Sequence, residues 1–171
     1  MKTIMQKNLK FIGTHILSLV LTLFYLFIFS WVIEKWGFVP FSVLASLTYL
    51  YLIYFEGWNW GRLEGKKYNE TKENPLRALA ASAAMSVICL VFAVLVYAKV
   101  SPDIVNFIAK IWYFPFIGFY AENQLITPSE ILLTGLLVPL AATLAYFAGM
   151  KNFSLLEKLT FMRVRKKSKA K

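Results

Sequence analysis

The sequence predicts an all-α integral membrane protein: a four-helix bundle with an extra interfacial or re-entrant helix at the outer face and a short amphipathic, basic C-terminal helix. Three observations predict it. First, residues 11–33, 36–55, 78–98 and 131–150 contain no Asp, Glu, Lys or Arg. A helix rises about 1.5 Å per residue, so roughly 20 residues match the hydrocarbon thickness of a bilayer. Second, 58% of the 171 residues are hydrophobic and 17% aromatic, a composition that excludes a water-soluble globule. Third, the basic residues alternate from loop to loop. Of 19 Lys and Arg, three precede the first span, five lie between the second and third, and eight follow the fourth. That is the positive-inside pattern, and it predicts a multi-pass cell-membrane protein with both termini cytoplasmic. The net charge of +10 then reports topology and contact with anionic lipid, not nucleic acid. The whole chain, residues 1–171, reads as one membrane domain.

The first span follows a basic start, as a signal peptide would. Its apolar run is 23 residues long and no small-residue cleavage site follows it, so it reads as an uncleaved span. Each span carries one stripe of small or weakly polar residues at helical spacing: His15, Ser18, Thr22 and Tyr25; Ser42, Ser46 and Tyr49; Ser82, Ser86, Cys89 and Ala93; Gly135, Pro139, Ala142 and Gly149. Small residues let helices approach closely and hydroxyls can bond across the contact, so the stripes are predicted to face inward. Pro139 is expected to kink the last span. The capping-box spacings Thr127 with Glu130 and Ser154 with Glu157 mark two helix starts.

Residues 102–120 are apolar but interrupted by Lys110 and Pro115. A crossing here would put the eight basic C-terminal residues outside, against the charge rule. The first half reads as an amphipathic helix capped by Ser101, with Pro102 in the first helical position. Asp103, Asn106 and Lys110 share one face, and Ile104, Phe107, Ile108 and Ile111 lie away from it. The segment is placed at the outer surface, lying in the interface or dipping in and returning. Tryptophan favours the interface because its ring is apolar and its N–H wants a partner. Trp31, Trp36 and Trp112 are therefore assigned to the outer side, Trp58 and Trp60 to the inner.

The cytoplasmic hairpin holds the candidate docking site: Glu56, Gly57, Trp58, Gly61, Arg62 and Gly65. The glycines recur every four residues and make a smooth strip if the segment is helical. Each costs about 1 kcal/mol against alanine in a helix, so a close contact should offset them. The strip either docks a partner or packs against the first or third span. A leucine at Gly61 is expected to clash and an alanine to be milder. The tail over residues 154–171 offers Arg163, Arg165, Lys166 and Lys167 as contacts for anionic lipid.

Catalytic constellations are absent from the sequence. Proton relays need an ionisable group at membrane depth, and a zinc site needs several His, Cys or carboxylate ligands. The chain has one His, one Cys and one Asp, far apart. His15 and Ser18 stand one turn apart, but no orienting carboxylate accompanies them. They read as a histidine near the inner headgroups with an ordinary partner. No catalytic, cofactor-binding or metal-binding residue is assigned.

The aromatic second span running into Gly57–Arg62, and the proline-containing last span ending Tyr146–Gly149 before a basic tail, resemble uncharacterised small multi-pass membrane proteins of Gram-positive bacteria. The resemblance brings no known activity. The function expected from the residues is a membrane-embedded interaction or accessory subunit, with another membrane protein or a second copy as partner. The alternative is a small transporter, or a substrate-binding transport subunit, for an uncharged or lipid-like solute.

Overall fold

A computed structural model describes residues 2–65, 75–120 and 125–153, and among these there is no strand. The tail contacts Arg163, Arg165, Lys166 and Lys167 and the Ser154–Glu157 capping box lie outside the described residues. The helices are α1 (Lys2–Ile28), α2 (Ser30–Trp36), α3 (Phe38–Glu64), α4 (Pro75–Tyr97), α5 (Pro102–Trp112) and α6 (Pro128–Met150), with a 3-10 helix at Phe114–Phe119. Three stretches, Ile4–Ile28, Phe38–Glu64 and Pro128–Met150, are long and apolar enough to cross a membrane. The bent α4 makes a fourth if its two halves count as one span. Large apolar side chains stand open on their outer faces: Phe27 is 78% exposed and Leu144 67%. Lipid is the solvent such faces match.

The stripes face inward. His15, Ser18, Thr22, Ser42, Ser46, Tyr49, Ser82, Cys89 and Ala93 are buried, as are Gly135, Pro139, Ala142 and Gly149, whereas Tyr25 and Ser86 at the stripe edges are half-buried. Lipid is as apolar as leucine, so helices in a membrane are held together by close packing and hydrogen bonds rather than by exclusion of water. α1 runs antiparallel to α3, since Lys7 lies near Glu56 and His15 near Tyr49. α3 and α6 run parallel: Gly57 abuts Ala142, Gly61 abuts Tyr146 and Gly65 abuts Met150. One end of the assembly therefore collects Lys7, Lys10, Arg62 and Arg77, and is called the basic end. The other, or far, end carries Gly37, Ser101 and Thr127.

α1 stops at Phe29, and α2 ends on Gly37, whose φ of 76° is a region that side chains rarely adopt. α4 bends by 47° between Leu76–Ala83 and Met85–Tyr97. Ser82 sits at the bend, its hydroxyl donating to the carbonyls of Ala78 at 2.9 Å and Leu79 at 3.2 Å, a back-bond that bends helices. α6 begins with the expected capping box, Thr127 and Glu130 bonding reciprocally, and runs through Pro139 without a break.

Ser101 does not cap α5. Its backbone is left-handed, with φ 38° and ψ 64°, and its side chain makes no capping bond. A cap residue needs an extended backbone to aim its oxygen at the first turn. Pro102 does open the helix as expected, and α5 stops before Pro115, whose ring and missing N–H cannot continue it.

Candidate functional site

α5 and the 3-10 helix form a hairpin that enters the assembly from the far end. On α5, Ile104 and Phe107 point outward, 63% and 65% exposed, while Val105 and Ala109 are buried. At its tip, Trp112 lies against His15 with ring centroids 4.3 Å apart. This corrects the outer-interface assignment of Trp112: the indole reaches His15 among the packed helices, because Pro115 turns the chain there. It also corrects the placing of His15 near the inner headgroups. The imidazole is 1% exposed and its Nδ1 bonds the Tyr49 hydroxyl at 3.1 Å, near the middle of α3. His15 Nε2 and Trp112 Nε1 are buried with no hydrogen-bond partner among the described residues.

The returning arm climbs back along α3. Phe116 meets Tyr49 edge-on at 5.5 Å, Phe114 meets Phe41 at 6.2 Å, and the Gly118 N–H donates to the Ser42 hydroxyl at 2.7 Å. The arm ends at Tyr120, whose hydroxyl lies 3.0 Å from that of Thr134 on α6. Between α3, this arm and α6 remains a partly open crevice of about 290 Å³, near the lower end of ligand-pocket sizes. Leu50, Phe116, Phe119, Leu133 and Leu137 make its apolar walls, and Ser46, Tyr120, Glu130 and Thr134 are the lining residues with polar side chains. Leu133 and Phe119, 70% and 49% exposed, rim the mouth.

At the basic end the glycine strip is covered. A Cβ on Gly61 would stand 2.0 Å from the Tyr146 carbonyl oxygen, and one on Gly149 would stand 2.1 Å from that of Trp58. The strip is thus the seam between α3 and α6. This corrects the reading of Gly57, Gly61 and Gly65 as a free docking surface, and also the choice of the first or third span as their neighbour. Even a methyl group at Gly61 meets backbone, so alanine is not mild there. Of the other hairpin residues, Glu56 pairs loosely with Lys7 at 3.9 Å and Lys10 at 3.8 Å. Arg62 stacks on Trp58, 5.0 Å from the ring centroid, and the Trp58 indole donates to the Phe153 carbonyl at 2.8 Å. Trp60 lies at the basic end but is buried, 3% exposed, and its indole donates to Glu64 at 2.7 Å. Glu64, itself buried, also accepts from the Tyr146 hydroxyl and faces Arg77 at 3.7 Å. These groups tie α3, α4 and α6 together.

Tyr120, Thr134 and the crevice they close have no signature in the sequence, because the contact joins residues on different elements with no shared period. Ser46 belongs to a predicted stripe and Glu130 to a predicted capping box, but neither feature says that they share a cavity. No group of three or more His, Cys, Asp or Glu is arranged to hold a metal ion among the described residues. Compared with protein-family models, with curated proteins and with solved structures, the chain finds no match.

Proposed function

We propose that this protein is a four-helix cell-membrane protein with cytoplasmic termini, acting as a binding subunit that holds a lipid-like solute in the crevice between α3, α6 and the aromatic hairpin. The crevice carries this reading. It pairs apolar walls with a few polar atoms at one end, the usual composition of a ligand site, and its mouth opens between side chains suited to lipid. The loss of the glycine strip as a free surface weakens the case for docking a partner through the hairpin. An accessory role alongside a transporter remains compatible with solute binding. The basic end supports the cytoplasmic orientation, since its Lys and Arg side chains cluster at one level.

Two measurements test the proposal. The protein would be placed in nanodiscs of zwitterionic lipid and photolabelled with a photoactivatable decanol. Labelling at Leu50, Leu133 and Leu137 should exceed that at the lipid-facing Phe27 and Leu144, compete with excess decanol, and fall in Leu133→Trp. Uniform labelling, indifferent to competitor, would overturn the binding role. For topology, a cysteine placed at Lys167 in a Cys89→Ser background should react only in permeabilised cells.

A further inference from the structure

We infer that the crevice selects an amphiphile whose head group donates hydrogen bonds and carries positive charge, a long-chain ammonium compound in its simplest form. The inference rests on the binding role proposed above and follows from where each proton goes. A hydroxyl has one proton to give and lone pairs to receive. The Thr134 hydroxyl donates to the Glu130 carbonyl. Its proton is therefore engaged, so in the 3.0 Å contact between Tyr120 and Thr134 the phenol is the donor. The Ser46 hydroxyl donates to the Val43 carbonyl at 3.1 Å. Among the described residues, every hydroxyl proton in the crevice is thus directed at the protein itself, and what these polar atoms still present is acceptor capacity.

Glu130 adds a charge to that pattern. Its Oε2 accepts from the Thr127 N–H at 2.7 Å and the Thr127 hydroxyl at 2.8 Å. Its Oε1 accepts no hydrogen bond among the described residues, and a carboxylate has about four acceptor positions. Among the described residues, no Lys or Arg lines the crevice. The positive end of α6, which would otherwise draw an anion, is already met by the capping box, and Pro128 has no N–H to offer. A phosphate or carboxylate head would face acceptors only. An ammonium head would meet Glu130 and the lone pairs of Tyr120 and Ser46, with its chain along Leu50 and Leu137. The chain as a whole is strongly cationic, at +10. Non-specific attraction would therefore favour anions, and a preference for the amine can only be local.

The test compares decylamine, decanol and decanoate, at equal mole fraction in neutral nanodiscs, as competitors of the photoactivatable decanol at Leu133 and Leu137. Decylamine should compete best, by about tenfold or more over decanoate, the ratio that one charge-assisted hydrogen bond supplies. Decanol should fall between. Glu130→Gln keeps a capping-box residue at that position and should abolish the advantage of the amine over the alcohol. Equal competition by all three, or the strongest by decanoate, would overturn the head-group inference and leave the binding role standing. Failure of all three to compete would overturn both. The comparison on the unaltered protein decides between these outcomes even if the Glu130 variant does not fold.

Discussion

Gly61→Ala adds one methyl group at the seam between α3 and α6, and two effects of opposite sign follow. In an open helix the change would stabilise by about 1 kcal/mol, the difference in helix propensity. At this position the new Cβ would stand 2.0 Å from the Tyr146 carbonyl oxygen, 2.8 Å from its carbon and 3.0 Å from its Cα. All three are backbone atoms, so no rotamer change relieves the clash, and the helices must part. Parting them also loosens Gly57, Gly65 and Gly149, where an added Cβ would likewise meet facing backbone, at 2.7, 2.7 and 2.1 Å. Overpacking a tight contact costs about 1–3 kcal/mol, and a backbone clash spread along four glycines belongs at the upper end. We expect a net loss of about 2 kcal/mol, and a fall in Tm of about 2–4 °C for each kcal/mol. Cys89, the single cysteine and 2% exposed, supplies the assay: a thiol-reactive fluorophore in mild detergent reports unfolding as the thiol becomes accessible. Gly13→Ala is the control. It lies within α1 with nothing within 4 Å of the added Cβ, and should be neutral or slightly stabilising. If Gly61→Ala melts with Gly13→Ala, the seam does not hold α3 to α6 and the reasoning fails.

The same thermal assay reads two further predictions. Tyr49→Phe strands His15 Nδ1 and should destabilise. His15→Phe combined with Tyr49→Phe should recover part of the loss, with a coupling of about 0.6 kcal/mol and at most about 1.7, the range for interhelical bonds in membranes. Strict additivity would show that the 3.1 Å contact carries no energy. Glu56→Gln should change stability by about 1 kcal/mol or less, since its ion pairs are long and partly solvated. Glu64→Gln should cost more, because a buried acceptor with bonds from Trp60 and Tyr146 loses its charge. Equal effects would contradict the burial contrast between the two carboxylates.

What the sequence made legible was what depends on local chemistry. Uncharged runs marked the long helices, small-residue periods marked their inner faces, and Thr127 with Glu130 marked the start of α6. Contacts between distant segments were not legible. The glycine period of α3 said that something lies close, and the alternation of basic loops makes the second and fourth spans parallel, but nothing local states that the matching surface is Tyr146–Gly149 on α6. Trp112 illustrates the same limit. Interface preference is an average over tryptophans, and here stacking on His15 overrides it. Ser101 reads as a cap by residue type, yet the turn after α4 holds both Lys99 and Ser101 at positive φ, and the Ser101 side chain makes no capping bond.

The seam and the crevice are two consequences of one geometry. α3 and α6 run parallel and touch backbone to backbone at the basic end, where glycine removes every intervening side chain. Toward the far end the facing residues become Ser46 and Leu50 on α3, and Thr134 and Leu137 on α6, and the hairpin's Phe116 and Tyr120 stand between them. The two helices therefore form a wedge, closed by Gly57, Gly61 and Gly149 and propped open by aromatic rings. A ligand in the crevice would contact both arms of the wedge as well as the prop. Binding should then depend on the seam without touching it. Gly61→Ala, if the protein remains folded at low temperature, should weaken competition by decylamine and decanol by a similar factor, because it alters the spacing of the walls and not the acceptors at Glu130. A selective loss of the amine alone would mean that the seam acts on the head-group end, contrary to a simple wedge.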